Sequence, residues 1–338
     1  MSKRAVFALT AQGAGLARTL GTGLEADVFL PEDLARPPEK GFVLLKPAVD
    51  QAWKSYSQLV FIAASGIVVR TIAPLLQSKD QDPAVVVLDH QGQFAISLVS
   101  GHLGGANDLA REAAALTRGQ AVITTATDSL GLVAIDQVAR DLGMFPEPTS
   151  AIKKINTALL QGGPVRIFDP ENRLGWTAGF PQGYVAAEAG NDSGPLVEVS
   201  WQTRSSFRAD LFLRPRCLVA GMGCNTQTSS QEILNLIHSA FLRHNLSPAS
   251  LKCVVSTSKK AEEPGLLQAA KQLGVELVCI PHHRLQSIEV PNPSTTVFKH
   301  MGVSSICEAT ALLHTSHGRL LVPKTKSQNA TLAVALHP

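Results

Sequence analysis

One stretch, Gln93 to Asp128, limits the architectures open to this chain more than any other. It reads QFAISLVSGHLGGANDLAREAAALTRGQAVITTATD, and Phe94–Val99 within it is an apolar run of strand length. Ser100-Gly101 ends that strand, Gly104 and Gly105 permit a close backbone approach, and Asn107 is expected to N-cap the helix that follows. A second strand then ends in a polar tip of Thr124, Thr125, Thr127 and Asp128. A glycine turn feeding a helix exposes unpaired N–H groups and the positive end of the helix dipole, which suits an anion. If the two strands are parallel, His102 and the polar tip share one sheet edge.

The rest of the N-terminal part alternates in the same way. Val6–Leu9, Leu59–Ala63, Ala84–Leu88, Phe94–Val99 and Ala121–Thr124 read as strands between helical segments, and Asp89-His90-Gln91-Gly92 reads as a hairpin turn. Such alternation indicates a mostly parallel α/β sheet. Four polar turns, Gln12–Gly15, Ser65-Gly66, Ser100–Asn107 and Thr124–Asp128, are expected on its ligand-binding edge. Met144–Pro148 reads as a linker, after which many glycines and prolines cut the text into short strands around one helix, Ile152–Leu160. From Leu218 the α/β pattern returns: a strand is expected to meet a Gly221–Asn225 turn, and Ser229/Glu232 and Ser305/Glu308 have capping-box spacing. The expected fold is α/β: an N-terminal mostly parallel domain over 1–146, a small mixed or β-rich middle module over 147–215, and a C-terminal α/β domain over 216–338.

A length of 338 residues calls for two or three cores, and 45% hydrophobic with 17% charged residues marks a globular chain. No apolar run reaches the length of a membrane span, and the N-terminus fits a first strand better than a signal peptide. The five cysteines are widely spaced with no C-x-x-C pair, so buried free thiols and a cytoplasmic setting are expected. A formal net charge of +3 gives nucleic-acid binding no support, whereas a small polyanion is compatible with it.

Gly13-x-Gly15 and Gly221-x-Gly223 do not continue as a dinucleotide fingerprint, and no Walker A sequence occurs, so no nucleotide cofactor is expected. His282-His283 and His300 lack acidic or cysteine partners at ligand spacing, so no protein-bound metal is expected. His102 is read as a general base, a ligand-orienting donor or a solvated loop residue. Asp108 complements the helix N-terminus, Asp128 is harder to explain structurally, and Asp136 is expected as a surface or capping residue. Lys79 lies in a charged turn that matters only if the turn folds over the site, and Glu308 reads first as a capping residue.

Three segments, Ser65–Asp89, Phe94–Ala110 and Ala121–Asp128, together resemble the N-terminal domain of the cobalt-precorrin-5A hydrolases (CbiG) of anaerobic cobalamin biosynthesis. AGMGC (Ala220–Cys224), Lys260 with EPGL, NPS (Asn292–Ser294), VSSICEATAL (Val303–Leu312) and VPKTK (Val322–Lys326) are similar to the same family's C-terminal domain. Where that family commonly continues with Arg and Gly after Gly-x-Gly-Cys, this chain has Asn225-Thr226-Gln227.

The resemblance implies hydrolysis of the ring-A lactone of a cobalt-containing macrocycle, then a retro-aldol-like loss of the meso carbon with its methyl as acetaldehyde. Cobalt would arrive inside the substrate, with no cofactor of the protein's own. The resemblance does not fix the roles of single residues; from local chemistry His102 and Asp128 are the candidate catalytic residues. Lys79, Ser100, Gly101, Gly104, Gly105, Asn107, Thr124, Thr125, Thr127, Gly221, Gly223, Cys224 and Glu308 are the candidate substrate contacts, with the C-terminal domain as the cleft's second wall. Neighbouring pathway methyltransferases and a second copy of the chain are the expected partners. The rival expectations are a non-catalytic corrinoid carrier and an S-adenosylmethionine-dependent methyltransferase.

Overall fold

The computed structural model describes residues 3–78, 81–188, 193–204, 208–286, 288–293, 305–316 and 318–338. Its N-terminal part comprises β1 (Arg4–Ala8), α1 (Ala11–Gly23), β2 (Asp27–Pro31), β3 (Lys40–Phe42), α2 (Leu45–Trp53), β4 (Gln58–Ile62), α3 (Ser65–Ile72), β5 (Ala84–Leu88), β6 (Phe94–Val99), α4 (Ala106–Thr117) and β7 (Gln120–Val122). The strands form one seven-stranded sheet in the order β3-β2-β1-β4-β5-β6-β7. Both faces are covered, so β4 and β5 are buried almost throughout and read as unbroken apolar runs, LVFI and AVVVL. On one face α1 and α4 bury Ala14, Ala17, Leu109, Ala110 and Ala113 against Val6, Val60 and Val86. On the other, Phe7 stacks between Phe29 and Phe61 at centroid distances of 4.4 and 5.1 Å.

Strand direction decides where the loops go. β1 to β5 are parallel, β6 pairs antiparallel with β5, and β7 is parallel to β6. The hairpin therefore reverses the last two strands. Their C-terminal loops, Ser100–Asn107 and Thr124–Asp128, sit at the edge where β4 begins: a Cβ on Gly105 would lie 3.4 Å from Gln58 Nε2. The expectation of four polar turns on one edge is corrected accordingly. Gln12–Gly15 and Ser65-Gly66 lie at the opposite edge, because only two of the four follow reversed strands.

Two short helices, α5 (Ala126–Ser129) and α6 (Ile135–Asp141), lead into the middle part. There β8 (Met144–Glu147), α7 (Ile152–Leu160), β9 (Val165–Phe168), β10 (Tyr184–Ala186), β11 (Leu196–Val199) and β12 (Leu211–Pro215) build a sheet in the order β10-β9-β11-β12-β8. The expected linker at Met144–Pro148 is instead the antiparallel edge strand β8, whose Met144 and Pro146 face inward. An X-Pro-x-Pro text reads as a break, yet an edge strand tolerates proline. α6 buries Ile135, Val138 and Ala139 in this middle core with Ile155 and Leu159 of α7, although it precedes residue 147.

The C-terminal part comprises β13 (Leu218–Cys224), α8 (Ser230–Arg243), β14 (Leu251–Thr257), α9 (Pro264–Leu273), β15 (Glu276–Ile280), α10 (Ile306–His314), β16 (Arg319–Lys326) and β17 (Ala330–Leu336), with sheet order β15-β14-β13-β17-β16. Among the described residues no helix is long and apolar enough to cross a membrane. The five cysteines are unpaired.

Candidate functional site

Three backbone facts shape the His102 loop. Ser100 takes φ 59° and Gly105 φ 84°, and a Cβ on Gly104 would stand 2.4 Å from Ser100 Cβ. Only glycine fits so close an approach at 104, and Gly105 holds the left-handed N-cap of α4. The turn closes on itself: Gly105 N–H donates to His102 O, Ala106 N–H to Ser100 O and Asn107 N–H to Gly101 O, at 3.0–3.1 Å. The Gly105 N–H, expected to be unpaired and open to an anion, is thus already engaged within the loop, a correction to that expectation. Asn107, expected as the N-cap, lies within the first turn of α4 and is buried. Its side chain shares a hydrogen bond with Ser97 Oγ (2.7 Å) and donates to Thr125 Oγ1 (3.0 Å) and Asp128 Oδ2 (2.9 Å), so it ties the loop to the second strand tip.

His102 stands between two carboxylates. Its Nε2 lies 2.9 Å from Asp128 Oδ2, and its Nδ1 lies 3.3 Å from Asp136 Oδ2. Thr127 Oγ1 is 3.2 Å from Nε2. Asp128 is held further by Thr125 Oγ1 (2.6 Å) and Arg111 Nη2 (2.6 Å), and Asp136 by Asn156 Nδ2 (2.8 Å). Arg140 clamps the loop from below, donating to His102 O at 2.5 Å and pairing with Asp108. Burial alone would favour neutral imidazole, but hydrogen bonds and charge from Asp136, then Asp128, outweigh it and raise the His102 pKa. Burial likewise pushes both carboxylates up, yet Thr125, His102 and Arg111 hold Asp128 below its usual range, and His102 and Asn156 do so for Asp136.

His102 and Asp136 of this cluster, with Asp128 held behind them, line a cleft of about 640 Å³, within the size range of small-molecule sites. Ser100, Gly101, His102, Thr125, Thr127 and Asp136 line one side of it. The other side is α7 of the middle part, through Ile152, Lys153, Asn156, Thr157 and Leu160. α5 and α6 both pack on α7, so the cleft lies between the reversed edge of the first sheet and the middle part.

Three domain models of cobalamin biosynthesis match the chain in order: Cobalamin synthesis G N-terminal over residues 47–128, Cobalamin biosynthesis central region over 133–215 and Cobalamin synthesis G C-terminus over 218–335. The chain is 32% identical to the cobalt-precorrin-5A hydrolase of Priestia megaterium, across 99% of this chain and 95% of that protein. It is 33% identical to that of Salmonella typhimurium, across 98% and 97%. The chain belongs to the cobalt-precorrin-5A hydrolase family. A crystal structure of a cobalamin biosynthesis protein G homolog from Sulfolobus solfataricus aligns over 99% of this chain and 97% of its own, at 22% identity and a TM-score of 0.43.

Within this member of the cobalt-precorrin-5A hydrolase family, the sequence-predicted residues divide sharply. His102 and Asp128 meet, as do Ser100, Gly101, Asn107, Thr125 and Thr127 around them; Lys79 lies outside the described residues. The C-terminal candidates are elsewhere. Gly221-Met222-Gly223-Cys224 is not a turn but the end of β13, paired residue by residue with β17. Gly221 is needed for packing, since a Cβ there would stand 2.0 Å from the carbonyl oxygen of Cys307 on α10. Cys224 is raised to about 11 by burial, which keeps it a thiol. Glu308 is fully buried and does not cap α10: its carboxylate accepts from Asn292 N–H and Nδ2 and from Lys324 N–H at 2.8–2.9 Å. It pins two chain segments and is closed to a substrate. At the departure from the family pattern, Gln227 N–H bonds Glu263 Oε1 at 2.7 Å. No C-terminal residue lines the His102 cleft among the described residues; the middle part is its second wall.

Four residues of this site carried no weight in the sequence: Asp136, Asn156, Arg111 and Arg140. Asp136, expected as a surface or capping residue, lies in the first turn of α6 and is 8% exposed. Its one available signal was position, directly after the apolar Val133-Ala134-Ile135, which draws the start of α6 into the core.

Proposed function

We propose that this chain opens the ring-A lactone of a cobalt-containing corrinoid intermediate, cobalt-precorrin-5A, and releases acetaldehyde. The full-length likeness to proteins of that name carries the reading, and a largely buried histidine–carboxylate cluster whose His102 and Asp136 line a cleft supports it. Cobalt is brought by the substrate, and the reaction as written asks for acid–base groups alone.

Both His102 ring nitrogens face carboxylate oxygens, which favours a proton on each, and we take the resting side chain as imidazolium. An imidazolium has no lone pair to activate water. His102 therefore acts first as an acid, which revises its expected role as base. Asp136, which both touches His102 and lines the cleft, takes a proton from the attacking water. The imidazolium offers positive charge to the oxyanion that forms on the lactone carbonyl, and it protonates the ring oxygen as that C–O bond breaks. The carbinol then gives its hydroxyl proton to the now neutral imidazole. Its C–C bond breaks, the electron pair stays on the macrocycle, and acetaldehyde departs. Asp128 orients the ring throughout. Product handover to neighbouring methyltransferases and pairing with a second copy are part of the proposal.

Replacing His102 with Gln tests this: acetaldehyde release is expected to fall by at least about a hundredfold, and a rate within about threefold of wild type removes His102 from the chemistry.

A further inference from the structure

The middle part has so far served only as a wall, yet that wall has a composition of its own. α7 reads IKKINTALL: Ile155 and Leu159 are buried in the middle core, while Ile152, Lys153, Asn156, Thr157 and Leu160 form the stripe that lines the cleft. Three of the nearby cations are committed: Lys154 to Asp210, Arg111 to Asp108 and Asp128, and Arg140 to Asp108 and Asp141. Lys153 is different. It is exposed, it lines the cleft, and among the described residues it has no ion-pair partner. The cleft's other charged lining groups, His102 and Asp136, are paired with each other across 3.3 Å, and His102 also with Asp128 at 2.9 Å. Among the described residues that line the cleft, Lys153 is therefore the one cation without an ion-pair partner.

We infer that Lys153 is a substrate-recognition residue, binding a side-chain carboxylate of the cobalt macrocycle and so setting which edge of the ring reaches His102. For the identity of the ligand the inference rests on the proposed function. Its geometry is independent of that: Lys153 stands one helical turn from Asn156, whose Nδ2 donates to Asp136 at 2.8 Å. The same helix thus carries the carboxylate contact and the group that holds the acid–base pair, which fixes the distance between the anchored and the reacting parts of a rigid substrate.

Two assays on the full chain decide it. In acetaldehyde release, Lys153→Met is expected to raise KM about three- to fivefold, as for loss of a solvent-accessible ion pair. The kcat should stay within about twofold, and Lys153→Arg should restore KM. In equilibrium binding, a stable cobalt corrinoid with free carboxylates should bind wild type more tightly than Lys153→Met by the same factor. Its methyl ester should bind both equally. Unchanged KM and unchanged carboxylate binding in Lys153→Met overturn the inference, as does an equal loss for the ester. If wild type releases no acetaldehyde, the proposed function falls, and the binding comparison still decides Lys153.

Discussion

At the scale of single residues, the state of one proton governs what His102 does. Asp136 and Asp128 raise its pKa against the opposing effect of burial. The stability its ion pairs supply is fully present below the unfolded histidine value and is lost as pH rises through the raised folded value. The two aspartates are held low, so their contribution is present above the ordinary carboxylate range and is lost as pH falls through their depressed values. The cluster is therefore most stable between those limits, and a reaction that needs the imidazolium should fail on the alkaline side. Replacing Asp136 with Asn removes a charge from His102, so the alkaline limb of the kcat/KM profile should move to lower pH. The rate should also fall at least about tenfold. An unmoved limb would show that His102 is not the titrating acid. Asp128 and His102 were legible from their glycine- and threonine-rich loops, but Asp136 was not: nothing in the text of a short helix shows that its aspartate turns inward towards a loop more than thirty positions away. That contact exists only once β6 and β7 are parallel and α6 docks on the middle core.

Elements were easier to read than their directions. β4, β5, β6, α7 and α8 were all evident from apolar runs, periodicity and caps, and Ser229 does accept from Glu232 N–H at 3.2 Å. The hairpin at Asp89–Gly92 and its antiparallel pair were also evident, yet which edge the site loops then reach follows only from pairing across the whole sheet. β2, β3 and α2 escaped notice; β3 is a three-residue edge strand, and α2 is a nine-residue helix with only Val49 and Ala52 buried. The Gly221–Cys224 glycines illustrate the opposite error: small residues that look like a ligand-binding turn are small because α10 crosses the strand there. Gly221→Ala should consequently destabilise the chain by about 1–3 kcal/mol through overpacking, read from its denaturation midpoint. Acetaldehyde release per folded molecule should not change, because Gly221 does not line the cleft. Lost activity with unchanged stability would put that strand end back in the site.

For the whole molecule, three sheets in sequence leave the His102 cleft between the first and the second. Saturating substrate should therefore slow amide hydrogen exchange over 98–103, 125–128 and 149–160, while the 220–224 strand end stays unchanged; protection confined to the C-terminal part would move the site there. The central claim is more direct still: this chain performs the lactone opening and fragmentation, with His102 as its acid and then its base. The measurement is acetaldehyde trapped from the cobalt macrocycle incubated with wild type and, in parallel, with His102→Gln. One acetaldehyde per lactone opened by wild type, and at least about a hundredfold slower release by the variant, is the predicted result. No acetaldehyde from wild type, or equal rates from both, would contradict it.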